Sequence, residues 1–172
     1  IIKVMLEKNI KIKILKETDY TQSYLDWFSD TDVVRFSENR HKVFSKESQI
    51  DYIKSFENNK TKFLYGIFFK NTHIGNIEIN PINYKLKCAN ISYIIGKKKF
   101  WGKGIATYSI TYISKIAKNQ FELIKLYAGC ASENIPSIKA LKKNDFILVS
   151  SIKNYFSYDN RSMDRLKFAK EL

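Results

Sequence analysis

The stretch ISYIIGKKKFWGKGIATYSI, residues 91–110, constrains this chain more than any other. It opens as a strand, passes through a basic turn carrying Gly102 and Gly104, and continues as an amphipathic helix. In that helix Ala106, Ile110, Ile113 and Ala117 recur at three and four, to about Asn119. Glycines in such a turn permit positive φ and close backbone approach, and the N–H groups and positive end of the helix favour phosphate oxygens. Lys97, Lys98, Lys99 and Lys103 surround the turn with charge, and Thr107 offers a hydroxyl one turn in. This is an anion cradle by construction.

Two phosphate motifs fail on the letters. A Walker loop needs four residues between its glycine and Gly-Lys-Ser/Thr; here five separate Gly96 from Gly102, and Gly104 stands where the hydroxyl belongs. A dinucleotide fingerprint needs a third glycine, but Thr107 occupies that place, and no βαβ unit with a terminal acid follows.

The remaining pattern predicts the order β, α, α, β, β, β, α, β, α, β, β. Ile10, Ile12 and Ile14 alternate with lysines as a strand, and a helix capped by Thr18 or Asp19 carries Tyr20, Tyr24, Trp27 and Phe28 on one face. A linking segment from Ser29 to Phe44 precedes a helix begun by Ser45, with Ile50, Ile53 and Phe56 inward. Strands are expected over Lys62 to Lys70, His73 to Asn80 and Lys87 to Ile95, then Lys125 to Ala131 beyond the long helix. Pro136 opens a short helix ending near Asn144. The last strands, Phe146 to Ile152 and Ser162 to Ala169, flank a polar loop at Asp159 and Asn160. The expectation is one α+β domain over 1–172 with a central sheet.

With 44% apolar and 15% aromatic residues the chain can bury a core, so wholesale disorder is excluded. It lacks a run of about 18 apolar residues, and lysines interrupt IIKVMLEKNIKIK, so no membrane partner and a cytoplasmic location are expected. Cys88 and Cys130 have neither disulfide-framework nor metal spacing, and no metal is expected. The formal charge is +13, yet Lys, Ile, Asn, Phe and Tyr make 87 of 172 residues, so A/T-rich codon usage accounts for much of the lysine. It does not account for asymmetry: residues 1–86 carry about +3 and residues 87–172 about +10, placing an anionic partner against the second half.

Lys99, Gly102 and Gly104 occupy the three positions of Arg/Gln-x-x-Gly-x-Gly/Ala, and the segment resembles the acetyl-CoA-binding motif of the GNAT N-acetyltransferase superfamily. FWGKGIAT followed by a helix and by KLYAGCASENIPSIKALKKNDF is similar to its ribosomal-protein N-acetyltransferase branch, with Asn134, Ser137 and Phe146 at the branch's Asn, Ser and Phe. The N-terminal strand and paired helices, IGNIEIN and Asp164 suit that branch as well, so the likeness spans nearly the whole chain.

This resemblance implies a mixed, mostly antiparallel sheet with helices on both faces and a V-shaped splay between two central strands. In that splay the pantetheine arm of acetyl-CoA, the co-substrate, pairs with backbone of Tyr93, Ile94 and Ile95. Lys99, Phe100, Trp101, Gly102, Lys103, Gly104, Ile105, Ala106 and Thr107 form the pyrophosphate turn, and Asn134 bonds the arm. The implied chemistry is N-acetylation by direct attack of a neutral amine in a ternary complex, with strand N–H polarising the thioester carbonyl.

The family's tyrosine acid, seven residues after the asparagine, is Leu141 here, so Ser137 or water takes its place. The branch's glutamate on the splayed strand is Asn90, leaving Glu78 and Glu38 as candidate bases; His41 and Arg40 sit with Glu38 as candidates for the acceptor pocket. Alternation turns Cys130 inward with Leu126 and Ala128, a small buried hydrophobe rather than a nucleophile. Acceptors that fit are a protein N-terminus, a nucleotide-linked amino sugar or another small amine. Two rival readings are a nucleic-acid-binding module stacking bases on Phe100 and Trp101, and a non-catalytic acyl-CoA binder of the same fold. Either a monomer or a homodimer is compatible.

Overall fold

The structure is a computed structural model and describes residues 8–158 and 161–172. Seven strands among the described residues form one sheet: β1 (Ile10–Ile14), β2 (Phe63–Phe69), β3 (Thr72–Asn83), β4 (Cys88–Ile95), β5 (Lys125–Ala131), β6 (Ile147–Tyr158) and β7 (Arg161–Glu171), in the order β1-β2-β3-β4-β5-β7-β6. Only β4 and β5 run parallel; the other neighbours are antiparallel. The parallel pair needs a crossover. It is supplied by the long helix that the 3.6-residue pattern marks out.

Among the described residues five α-helices cover the sheet: α1 (Gln22–Ser29), α2 (Thr31–Val34), α3 (Lys46–Lys54), α4 (Ile105–Phe121) and α5 (Ile135–Lys142). Alternation along the strands sorts the core into two layers. Ile67, Ile77, Ile79, Ala89 and Ile91 pack with Ile105, Ile110, Ile113 and Ala117 of α4 and with Ala140 and Leu141 of α5. On the opposite face Leu64 and Phe68 meet Tyr24, Trp27, Ile53 and Phe56. Burying a side chain such as Ile77 or Ile113 contributes about 1.5–3 kcal/mol before entropy. Trp27 also fixes a glycine: a Cβ on Gly96, just past β4, would lie 1.8 Å from the indole.

Several boundaries differ from the sequence expectation. Helix α1 starts later, because Thr21 rather than Thr18 or Asp19 accepts the Tyr24 N–H, at 3.3 Å. Asp19 instead closes a 3₁₀ turn, taking the Lys16 N–H at 3.0 Å and Lys13 Nζ at 2.5 Å. The segment expected to link the first two helices contains α2 and a 3₁₀ turn over Glu38–His41. On α3 the inward residues are Gln49 and Ile53, followed by Phe56, while Ile50 is half-buried. Strands β6 and β7 are longer than their apolar cores suggest, and Phe146 precedes β6 as a buried anchor. The polar loop at Asp159 and Asn160 lies outside the described residues.

Candidate functional site

The parallel pairing of β4 and β5 ends at Ile91↔Ala128, yet β4 continues to Ile95 along β3 and β5 continues to Ala131 along β7. The sheet therefore opens into a V between Ser92–Ile95 and Gly129–Ala131. Strand geometry decides which backbone groups face the gap. The Gly96 N–H donates to Ile74 across β3, and the Ile94 carbonyl lies over Gly75, so even-numbered residues here bond β3. Tyr93 and Ile95 consequently turn their N–H and C=O groups into the V. Ile94 borders the V through its side chain. Trp101 Nε1–H donates to the Ile95 carbonyl at 2.7 Å, leaving the Tyr93 groups and the Ile95 N–H to meet an extended chain laid alongside.

A cleft of about 1450 Å³ runs through this V. At one end lies the glycine turn. Gly102 and Gly104 have φ of +70° and +80°, and a Cβ on either would meet no atom within 4 Å, so the surface above the turn is open. Gly104 caps α4 without a side-chain bond, and the first intrahelical bond is Tyr108 N–H to Gly104 O at 2.9 Å. The N–H groups of Ile105, Ala106 and Thr107 thus point out of the helix end, where its dipole is positive. These groups suit the pyrophosphate of a coenzyme A ester.

The lysines divide. Lys99 and Lys103 lie over the Phe100 ring, 5.3 and 5.6 Å from its centroid. Lys98 is engaged elsewhere, bridging Asp30 at 2.8 Å and Asp32 at 3.0 Å, and so ties the turn to the loop between α1 and α2. Lys139 and Lys143, one turn apart on α5 and just beyond it, line the cleft and add the charge that Lys98 does not. Phe100 is buried against Phe69 with centroids 5.1 Å apart, which removes it as a base-stacking platform.

Across the V, Asn134 caps α5: its Oδ1 accepts the Ser137 N–H at 3.2 Å, with Pro136 in the first turn. Ser137 Oγ lies 2.6 Å from Tyr93 Oη, a bond that joins the two walls. Burial raises the Tyr93 phenol well above its ordinary range, although its bond to Ser137 opposes this. Cys130 is buried beside Ser137, and desolvation pushes its thiol up to about 11. Leu141, at the position of the family's tyrosine, is wholly buried in the core.

The other end of the cleft lies beneath α1 and α3. Glu78 is half-buried, and each oxygen has its own hydroxyl donor: Tyr52 to Oε2 at 2.6 Å and Ser92 to Oε1 at 2.7 Å. Register explains Ser92, which stands directly opposite Glu78 across the β3–β4 ladder. Two residues earlier on the same strand face, Asn76 bonds His73 Nε2 at 2.7 Å and the Tyr24 hydroxyl. His73 is buried among Tyr24, Trp27 and Phe68, and desolvation lowers its pKa. Asn80 and Asn90 complete this chamber. Amides and hydroxyls surround Glu78 here, and Asp32, Glu38, Arg35, Lys42 and Arg165 also line the cleft.

The family model of the GNAT acetyltransferase domain matches residues 10–147. The chain belongs to the GNAT acetyltransferase family. Solved structures agree on the fold. RimL, the ribosomal L7/L12 alpha-N-protein acetyltransferase in complex with coenzyme A, superposes with TM-score 0.86 at 18% identity, covering 97% of this chain and 96% of that one. The spermidine N-acetyltransferase of Vibrio cholerae with CoA and spermine gives 0.84 at 17%, over 95% and 96%. MccE, the microcin C7 self-immunity acetyltransferase with acetyl-CoA and AMP, gives 0.82 at 18%, over 95% and 93%. Among curated protein sequences nothing matches.

In this acetyltransferase the sequence-predicted residues fall into two groups. Tyr93, Ile94, Ile95, the turn from Phe100 to Thr107, Asn134, Ser137 and Glu78 come together around one cleft, with Lys99 and Lys103 flanking the turn. Glu38 also borders it, 3.8 Å from Arg165. Arg40 and His41 do not. Arg40 donates from Nη2 to the Ser157 carbonyl on β6 and from Nε to His41 Nε2 at 3.0 Å, fastening the 3₁₀ turn to the hairpin instead of facing the V. Sequence reasoning missed Tyr52, Ser92, Lys139, Lys143 and Arg165. Of these only Lys139 and Lys143 left a signal, their four-residue spacing on one helix face. Among the described residues no helix is long and apolar enough to cross a membrane, and no cluster of three or more His, Cys, Asp or Glu side chains could hold a metal.

Proposed function

We propose that this chain transfers an acetyl group from acetyl-CoA to a primary amine by direct attack within a ternary complex. The observation that carries this is the single cleft. One end has a positive helix end and open glycine turn, the middle has unpaired strand backbone, and the far end has one hydroxyl-held carboxylate. Acetyl-CoA lies along it with its phosphates at Gly102–Gly104, its pantetheine arm beside Tyr93 and Ile95, and its thioester facing Glu78. Glu78 attracts the incoming ammonium and takes its proton, directly or through water, so that a neutral amine attacks. The Tyr93 or Ile95 N–H donates to the thioester oxygen as negative charge develops there. All these groups come from one chain, and a cytoplasmic setting supplies the co-substrate.

The acceptor chamber favours a molecule bearing one amine over a polycation. Lys98 is shared between Asp30 and Asp32 and Glu38 lies against Arg165, so among the described residues Glu78 and the exposed Glu133 are the cleft carboxylates without a cation, and Glu78 is the one held by hydroxyls in the chamber. Arg35, Lys42 and Arg165 line the same region and repel a second ammonium. A nucleotide-linked amino sugar, a small amine with an anionic group or a peptide N-terminus satisfies these charges. The test is release of free CoA thiol with a panel containing an amino sugar, its phosphorylated and nucleotide-linked forms, an N-terminal Ser peptide and spermidine. Turnover of a single-amine acceptor with spermidine inert is expected, and spermidine as the best substrate refutes this reading of the chamber.

A further inference from the structure

Tyr93 stands on β4 two residues beyond the last rung shared with β5, and Ser137 lies in the first turn of α5. Their hydroxyls are 2.6 Å apart, and Tyr93 Oη also lies 3.5 Å from the Ser137 carbonyl oxygen. In the longer contact Tyr93 is the donor, and in the shorter one either hydroxyl can donate. When Tyr93 gives its proton to Ser137 Oγ, the proton of Ser137 is free to point elsewhere. Its neighbour is a sulfur, the buried thiol of Cys130. Asn134 fixes the same turn from the other side by accepting the Ser137 N–H. Ser137 is therefore oriented through its backbone and its oxygen alike, with one proton left to offer within the V.

We propose that Tyr93 is a positioning residue for departure of the thiol: by donating to Ser137 Oγ it turns the Ser137 proton toward the sulfur of coenzyme A. This rests on the transferase reading above. In the reaction the amine nitrogen forms the N–C bond, the C–S bond breaks and its electron pair leaves on sulfur. The proton lost from nitrogen and the one gained by sulfur balance through solvent. Ser137 keeps its own proton and stabilises the thiolate by a charge-assisted hydrogen bond. Leu141 can stay in the core because strand and helix together provide the donor that the family's tyrosine supplies elsewhere.

The test reads the thiol itself. Thiolate absorbance is titrated as the difference between complexes with CoA and with desulfo-CoA, which cancels the protein's own tyrosines and cysteines. In the wild type the bound thiol titrates below free CoA. In Tyr93→Phe and in Ser137→Ala alike it rises by about one unit, a tenfold loss of thiolate fraction, with CoA affinity unchanged. In steady state kcat falls in both variants at constant KM for acetyl-CoA, and the double variant is no slower than Ser137→Ala. A bound thiol that titrates identically in wild type and Tyr93→Phe overturns the proposal, as do independent, additive losses. Failure of the wild-type protein to bind CoA at all overturns instead the transferase reading on which it rests.

Discussion

Tyr52 reaches down from α3 and sets its hydroxyl 2.6 Å from Glu78 Oε2, tying the helical cover to the carboxylate on the floor of the cleft. Burial, the Glu78 charge and this bond together raise the Tyr52 phenol above its usual range, so it remains a donor through neutral pH. Among the described residues the carboxylate is held by two neutral hydroxyls and by no cation, which under the proposed function leaves its charge to an incoming ammonium.

Replacing Glu78 by Gln keeps the shape and one hydroxyl contact, reverses the donor and acceptor of the other, and removes the charge. The expected result is a loss in kcat of about 10²–10⁴, with thermal stability and acetyl-CoA affinity retained. Tyr52→Phe frees one oxygen of the carboxylate and lowers kcat/KM for the amine by roughly tenfold, the worth of one charge-assisted hydrogen bond. Steady-state kinetics on both variants check this, and full activity in Glu78→Gln removes Glu78 from the chemistry.

Gly104 tests the cradle. Its φ of +80° makes a β-branched side chain strained by roughly 1–2 kcal/mol, and the new side chain fills the open surface above the turn. Gly104→Val is expected to lose acetyl-CoA affinity with a modest drop in Tm. Gly104→Asn, whose side chain tolerates this backbone region, recovers the Tm without recovering the affinity. Equal acetyl-CoA affinity in wild type and valine variant contradicts the assignment.

Asn134 has two roles that substitution separates. Asn134→Ala removes the α5 cap and costs about 1 kcal/mol of stability. Asn134→Asp keeps an acceptor for the Ser137 N–H but removes the amide protons that face the cleft. Thermal unfolding near wild type with reduced acetyl-CoA affinity is expected for the Asp variant. Unreduced affinity leaves Asn134 a helix cap alone.

His73 gives stability a pH dependence. Burial lowers its pKa; the Asn76 and Gly75 hydrogen bonds and Asp19 oppose this shift, and Lys13 adds to it. The unfolded chain, with an ordinary histidine near about 6.5, therefore binds more protons than the folded one just below that pH. The stabilisation is complete above this value and is lost as pH falls through the lower folded pKa. Tm measured from pH 7 to pH 5 is expected to fall more steeply in wild type than in His73→Phe, and parallel curves contradict it.

Cys130 is expected to take no covalent part, since its thiol titrates near 11. Cys130→Ala should retain turnover within a few-fold, and mass spectrometry after mixing with acetyl-CoA should show no acetyl adduct on this cysteine. An adduct formed and consumed at the turnover rate contradicts direct transfer.

The glycine turn was legible because it is local: strand, positive-φ glycines and helix start follow one another in the chain, and each leaves its letter pattern. The same holds for Pro136 and the α5 cap. What escaped is non-local. Tyr52 and Ser92 meet Glu78 only through sheet register and helix docking, and no spacing in the sequence carries that relationship. Gln49 breaks the apolar pattern of α3 because its side chain meets the Tyr24 carbonyl at 3.5 Å rather than a hydrophobic core. Arg40 and His41 looked like pocket residues from their loop alone. The contact of Arg40 with Ser157, more than a hundred residues away, holds this turn against the hairpin.

The most direct test of the whole account is thermal unfolding of the purified protein with acetyl-CoA, ATP or a short single-stranded oligonucleotide at matched ionic strength. A ligand at 100 times its Kd adds about 2.7 kcal/mol, a readily measured shift. The account predicts stabilisation by acetyl-CoA that ATP does not match and that Gly104→Val abolishes. Stabilisation by the oligonucleotide, with acetyl-CoA inert, contradicts it.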